Sequence, residues 1–407
     1  MTADGLTRRF VLLRALRWLP VGLVLPFLVI TPESRGLSLS QIGAVFAVHS
    51  GVAIALEVPS GVLADTIGRR RVLLAGAMLT AASLTIFAAA DAVLTFMASV
   101  ALLAAGRALI SGSLEAWYVD SLRILDPAAP LSHGLSRGTA AEGIAMALGA
   151  LTGGALVTVS GYGLAAIAGA VAALGYLGAV AALVGEPRHA PHATPTRAAV
   201  AGRAREVFRT ARAEAAGSVT VRVVIFTGVA LGMSFTAVEL LWQPRLGDLL
   251  GHAQAHGLAF GALAAASMLA VALGAGVSTT VNRRIGLRLG YLLALAFAAV
   301  CIAILGAPGS PVAFAAVYLF AYLGLGIADP MHFELLNDAV GPTARATLIS
   351  AESLAAQGGA LCANIGVGTL ASAHGPALTW ALAGMFLAVS VLAAGLALRK
   401  VASLVRA

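Results

Sequence analysis

Arg14, Arg17, Arg107, Glu115, Glu239, Asp329 and His332 all lie inside long apolar runs of this sequence. An ionisable side chain at the centre of a membrane span costs about 2.5–3.5 kcal/mol on insertion scales, so each needs a reason to be there. A carboxylate desolvated in a cavity can take a proton near neutral pH and exchange it for a solute. A buried arginine can bind an anion or pair with such an acid. Arg107, Ser111 and Glu115 follow at i, i+4 and i+8, a spacing that predicts one shared helical face. Arg107 is therefore read either as an anion-binding charge or as the internal partner of Glu115 or Glu142. Glu239 stands near Trp242 and Gln243, and Asp329 comes one turn before His332. Glu352, Gln357 and Asn364 are further polar candidates in an apolar run, while His49 and Glu57 read as packing or structural residues.

The elements that must position these residues are helices in lipid. Of 407 residues, 59% are apolar and 11% charged, and the mean hydropathy is +0.93. A soluble domain of this size would need a more polar surface. A spanning helix takes about 20 apolar residues, and twelve such runs are found, near 10–32, 40–63, 72–90, 93–118, 137–160, 163–184, 219–243, 257–280, 287–306, 312–335, 344–372 and 376–398. The first follows Arg8 and Arg9 in the manner of a signal sequence, but it is long and lacks a small-residue cleavage site, so it is read as a retained span. The 46 glycines favour close helix packing. Runs of this length exclude a β-barrel, whose strands are short and alternate in polarity.

Nearly all of the 26 basic residues fall at the termini or in even-numbered loops, whereas Arg35 and Arg245 alone occupy odd loops. The positive-inside rule then places both termini in the cytoplasm, and the net charge of +8 reads as an orientation signal that does not call for nucleic acid. Residues 185–218 form the longest polar interruption and divide the chain into an N-terminal six-helix half (1–184), a cytoplasmic linker (185–218) and a C-terminal six-helix half (219–407). Within the linker, apolar Val200, Ala204, Val207, Phe208 and Ala211 recur at helical spacing among arginines, which predicts an interfacial helix on an anionic leaflet. His189 and His192, beside prolines, read as ordinary loop residues. Cys301 and Cys362 provide neither a disulfide framework nor metal spacing. No His-Glu-x-x-His or phosphate-binding Gly-Lys-Ser/Thr motif is present, so the reading is a non-enzyme without cofactor or metal.

The halves are similar to one another. GSLEAWYVDSL (112–122) aligns with GIADPMHFELL (326–336), matching Glu115 with Asp329 and Asp120 with Glu334. RGTA (137–140) aligns with RATL (345–348), as expected for duplicated halves of a secondary transporter.

GVLADTIGRRRVL (61–73) sits between the second and third runs. It resembles the loop signature of the major facilitator superfamily (MFS), Gly-x-Leu-Ala-Asp-basic-x-Gly-Arg-basic-x-x-Leu, departing only at Thr66. Gly61 and Gly68 are expected to permit a tight turn and close helix approach. The resemblance implies an all-α membrane protein of twelve transmembrane helices in two pseudo-symmetric halves, working by alternating access. It also implies a cytoplasmic latch in which Asp65 and Arg69 act with Asp120. TTVNRRIGLRLGYLL (279–293) is a degraded copy in which Arg283 replaces the acid, leaving Arg284 or Arg288 to pair with Glu334. The glycines of ALGALTGG (147–154) resemble the motif of drug/proton antiporters, although Ala150 replaces its proline.

In that family spans one, four, seven and ten line the path. The resemblance therefore favours Arg14, Arg17, Arg107, Glu115, Glu239, Trp242, Asp329 and His332 as substrate or proton sites. The expected function is proton-coupled export of small amphipathic or cationic molecules by a monomer in the cell (inner) membrane. Glu115, Glu239 or Asp329 would carry the proton. Alternatives are an importer of a small anionic nutrient using the three arginines, and a non-transporting membrane sensor.

Overall fold

The computed structural model describes residues 2–185 and 197–404, without the side chains of residues 65, 197–200, 342, 343, 346 and 400–404. His189 and His192 lie outside the described residues. The described chain is helical: α1 (Ala3–Val24), α2 (Ile30–Ser34), α3 (Leu39–Ile67), α4 (Arg69–Ala89), α5 (Val93–Ile110), α6 (Ser113–Leu125), α7 (Leu131–Ser160), α8 (Tyr162–Leu183), α9 (Arg197–Gly217), α10 (Val219–Leu250), α11 (Gly257–Ile285), α12 (Leu287–Ala303), α13 (Pro311–Asp338) and α14 (Pro342–Leu404). Ten segments are long and apolar enough to cross a membrane, and α12 is a shorter apolar helix.

Local chemistry sets the boundaries. Thr2, Ser218 and Ser310 each accept a backbone N–H three residues on, capping α1, α10 and α13, and Pro311 occupies a first-turn position where its missing N–H costs nothing. Gly68 (φ 96°) and Gly286 (φ 83°) make the equivalent turns between α3 and α4 and between α11 and α12. Only glycine enters that region without strain. The expected runs 344–372 and 376–398 join into α14, broken in its backbone at Gly375 (φ 82°).

The fourth expected run behaves differently. Gly112 adopts φ 73° and ends α5 before α6 begins, so Arg107 and Glu115 stand on separate helices. The single face expected for Arg107, Ser111 and Glu115 is thereby corrected. The Ser-Gly-Ser sequence at 111–113 favours the break, and the Ser113 hydroxyl donates to the Leu109 carbonyl across it (2.8 Å).

Two compact units are formed. Unit 1 holds residues 1–37, 52–201 and 252–265. In it α1 packs on α7 and α8, and α4 on α5 and α8. Its core includes Phe10, Trp117, Tyr118 and Tyr176. Tyr118 stacks on Phe10 at 4.2 Å and shares a hydrogen bond with Thr7. On α8 the large residues Ile167, Val171 and Leu174 are exposed, while Ala166, Gly169, Ala170 and Ala173 are buried. This inverts soluble amphipathicity and fits lipid outside with small-residue packing inside.

The fifth-run glycines are used in that packing. A Cβ on Gly149 would lie 2.9 Å from the Leu19 carbonyl, one on Gly153 2.1 Å from that of Leu23, and one on Gly154 2.7 Å from that of Gly257 at the start of α11.

Unit 2 holds residues 38–51, 202–251 and 266–407. Here α10 packs along α14, and α12 on α13 and α14. The Trp380 indole donates to the Ala237 carbonyl (3.0 Å). The first part of α3 packs on α14 through Gly43 and Gly368, where Asn364 donates to the Phe46 carbonyl and the Ser50 hydroxyl (3.3 and 3.2 Å). On α9 the expected helix is present, with Val207 buried and Phe208, Arg203, Arg205, Arg209 and Arg212 exposed.

Candidate functional site

The first cluster is built by α1, α5, α6, α7 and α8 of unit 1. Arg14 lies at its centre, pairing with Glu142 at 2.6 Å and with Glu115. Arg17, nearly one turn on, approaches Glu115 at 3.8 Å. One of the two readings of Arg107 made it the internal partner of Glu115 or Glu142; the structure gives that place to Arg14. The break at Gly112 swings Glu115 off the Arg107 helix, and the α1 side chain fills the gap.

Arg107 makes no ion pair among the described residues. It ends α5, is exposed to a small cavity, and stands 5.7 Å from the Trp18 ring, with Arg17 at 5.3 Å from the same ring. The helix C-terminus supports its charge by about 0.3–1 kcal/mol, and an indole face by about 0.5–2 kcal/mol. These offset only part of the insertion cost of about 2.5–3.5 kcal/mol. Three arginines thus face two carboxylates, an excess of one positive charge.

Unit 2 treats its acids differently. Glu239, on α10, accepts the Tyr322 hydroxyl from α13, and the Tyr318 hydroxyl donates in turn to Tyr322 (3.2 Å). Buried Trp242 lies 5.4 Å from the Tyr318 ring. No cation pairs with Glu239 among the described residues. A turn further along α13, Asp329 is exposed and His332 is buried. Four helices meet at His332: its Nδ1 bonds the Tyr291 hydroxyl (2.9 Å), which bonds the Thr227 hydroxyl (2.8 Å), and its Nε2 faces Glu352 at 3.2 Å. Gly228 leaves room for Glu352, since a Cβ there would lie 2.9 Å from its oxygen.

At the α3–α4 turn Arg69 donates through Nε to Asp120 at 2.8 Å. The side chain of Asp65 lies outside the described residues. Gly61 is helical and a Cβ there would meet nothing, so its expected part in a tight turn or close approach is corrected; Gly68 alone makes the turn. Arg70 donates to the Val184 and Ala181 carbonyls (2.8 and 2.9 Å), a cation at the end of α8. In the second copy Glu334 accepts from the Asn282 amide (3.2 Å to each oxygen), and the expected pairing with Arg284 or Arg288 is corrected. Asn282 stands one turn before Gly286 and faces α13, while Arg283 and Arg284 are exposed.

Sequence reasoning missed Tyr318, Tyr322, Tyr291 and Tyr176. The signal was available: the chain has 6 tyrosines, and a tyrosine buried in an apolar helix brings a hydroxyl that needs a partner.

Comparison with known proteins bears on the whole assembly. The family model of the Major Facilitator Superfamily matches residues 10–255. No curated protein sequence matches the chain. Among solved structures, the fold is similar to the nucleoside transporter NupG, with TM-score 0.79 and 14% identity over 97% of this chain and 99% of that one. It is also similar to a peptide transporter POT mutant in complex with sulfate, with TM-score 0.74 and 15% identity over 98% and 94%.

Proposed function

Because the chain belongs to the Major Facilitator Superfamily, we propose that it is a proton-coupled secondary transporter in which Glu239 carries the proton. Membership and ten apolar spanning segments make it a multi-pass membrane transporter, with no enzymatic role. The proposal extends this to twelve spans in two six-helix halves, cytoplasmic termini and alternating access. In that architecture substrate and coupling-ion sites lie between repeated halves near the midplane.

The observation that carries the proton assignment is the environment of Glu239. Its partner is a phenol hydroxyl, and no cation accompanies it among the described residues. An ionised carboxylate so placed is costly to keep in a low-dielectric interior, and a proton removes the charge. Glu115, by contrast, is paired with Arg14, so the three sequence candidates narrow to Glu239 with exposed Asp329 in support. Export of amphipathic or cationic molecules rested on the fifth-run glycines. Those glycines are engaged in close helix contacts, and Ala150 stands where that motif has proline, so the proposal carries no direction.

The test uses full-length protein in proteoliposomes with an internal pH dye, challenged in turn with nucleosides, dipeptides and monocarboxylates. At least one class is expected to move protons in wild type and none in Glu239→Gln. Absence of any solute-dependent proton movement in wild type would contradict the reading.

A further inference from the structure

Buried polar atoms without partners mark places where a structure expects something else to bind. In unit 1 one such atom is the hydroxyl of Tyr176, a residue that lines the same small cavity as Arg107, Arg17 and Trp18. Tyr176 is 1% exposed on α8 and its hydroxyl has no hydrogen-bond partner among the described residues. Thr80 lines the cavity as well, but its hydroxyl is committed to the Gly76 carbonyl (2.9 Å). Arg14 is committed to Glu115 and Glu142. The groups left over are a guanidinium without an ion pair, a second guanidinium only loosely held at 3.8 Å from Glu115, and an unsatisfied hydroxyl.

A cationic solute would repel these groups and a neutral one would leave the guanidinium charge uncompensated, whereas an oxyanion both accepts from the donors and supplies the countercharge. Guanidinium forks suit carboxylate and phosphate oxygens in geometry as well as charge. Trp18 lies within cation–π range of both guanidinium groups.

We propose that Arg107, Arg17 and the Tyr176 hydroxyl, gathered beside Trp18, form an oxyanion-binding subsite, so that the transported solute carries a carboxylate or phosphate group. This rests on the reading of the chain as a transporter, but it is tested by binding at equilibrium, without a proton gradient. The assignment divides the arginines: Arg14 organises the acids and Arg107 receives the solute.

The experiment titrates detergent-solubilised full-length protein with benzoate, acetate and inorganic phosphate at constant ionic strength. Benzamide is the uncharged control, and tryptophan fluorescence and thermal stability are the readouts. Wild type is expected to show saturable binding of an anion and none of benzamide. A response to the carboxylates alone assigns a carboxylate solute, and a response to phosphate alone assigns a phosphate ester. Arg107→Gln is expected to weaken binding by about tenfold or more, and the isosteric Tyr176→Phe by about three- to tenfold. The proposal is overturned by no saturable anion binding, by equal binding of benzamide, or by unchanged affinity in both Arg107→Gln and Tyr176→Phe. Anion binding without proton movement in liposomes would defeat the proton-coupling reading and leave this one standing; proton movement with a neutral solute and no anion binding would do the reverse.

Discussion

The two units solve the same problem, an acid in an apolar helix, in opposite ways. In unit 1 Glu115 and Glu142 are held by Arg14, and Asp120 by Arg69. In unit 2 Glu239 is held by a phenol, Glu352 by an imidazole and Glu334 by a carboxamide. An arginine does not give up its charge, so its carboxylate partner has a fixed countercharge beside it. A phenol, an imidazole and a carboxamide bring no permanent charge of that kind. The difference teaches a division of labour between the units: carboxylates paired with permanent cations in unit 1, and carboxylates held by donors without a permanent charge in unit 2.

The largest effect should come from removing the fixed charge at its hub. Arg14→Ala leaves Glu142 without its cation and Glu115 with only Arg17 at 3.8 Å, and is expected to destabilise the protein by about 3 kcal/mol, the lower end for breaking a buried pair, because both acids keep partial exposure. Thermal unfolding in detergent measures this. Adding Glu142→Gln should restore part of the loss, and an additive double variant would break the comparison at its strongest point.

Unit 2 should respond more mildly to a comparable cut. Tyr322→Phe removes the hydroxyl that serves Glu239 and Tyr291→Phe the link between Thr227 and His332, each expected to cost about 1–2 kcal/mol by the same measurement. A loss as large as that of Arg14→Ala would show that the neutral networks are equally rigid.

The turns should give the smallest effects. Arg69→Ala removes a partly exposed pair and should cost about 0.2–1 kcal/mol. Asn282→Ala should cost less still, since an amide at 3.2 Å from Glu334 brings no charge. In liposome transport assays the Arg69 variant is expected to be slowed more than the Asn282 variant. Equal slowing would remove the asymmetry between the turns.

Much of this arrangement was legible in the residues. Apolar runs gave the helices, because lipid demands internally satisfied backbone over long stretches. Gly68 and Gly286 stood at matching places before the two turns, and the pairing of Arg69 with Asp120 followed from their loop and span positions. Partner choice deeper in the helices was not legible. Span membership says which side chains share a depth; helix rotation decides which of them touch. A single left-handed Gly112 moved Glu115 away from Arg107 and gave it to Arg14. The phenol at Glu239 escaped notice because charge draws attention to arginine and histidine, while Tyr322 is an ordinary residue in an apolar helix.

The central claim is that the proton is carried by Glu239, which a phenol holds, and not by Glu115, which Arg14 holds. Infrared difference spectroscopy of the protein in lipid, stepped in pH around neutrality, reads the C=O stretch of protonated carboxyl groups directly. A protonated-carboxyl band that disappears in Glu239→Gln and persists in Glu115→Gln is the predicted result. A band that survives Glu239→Gln and vanishes in Glu115→Gln would contradict the account.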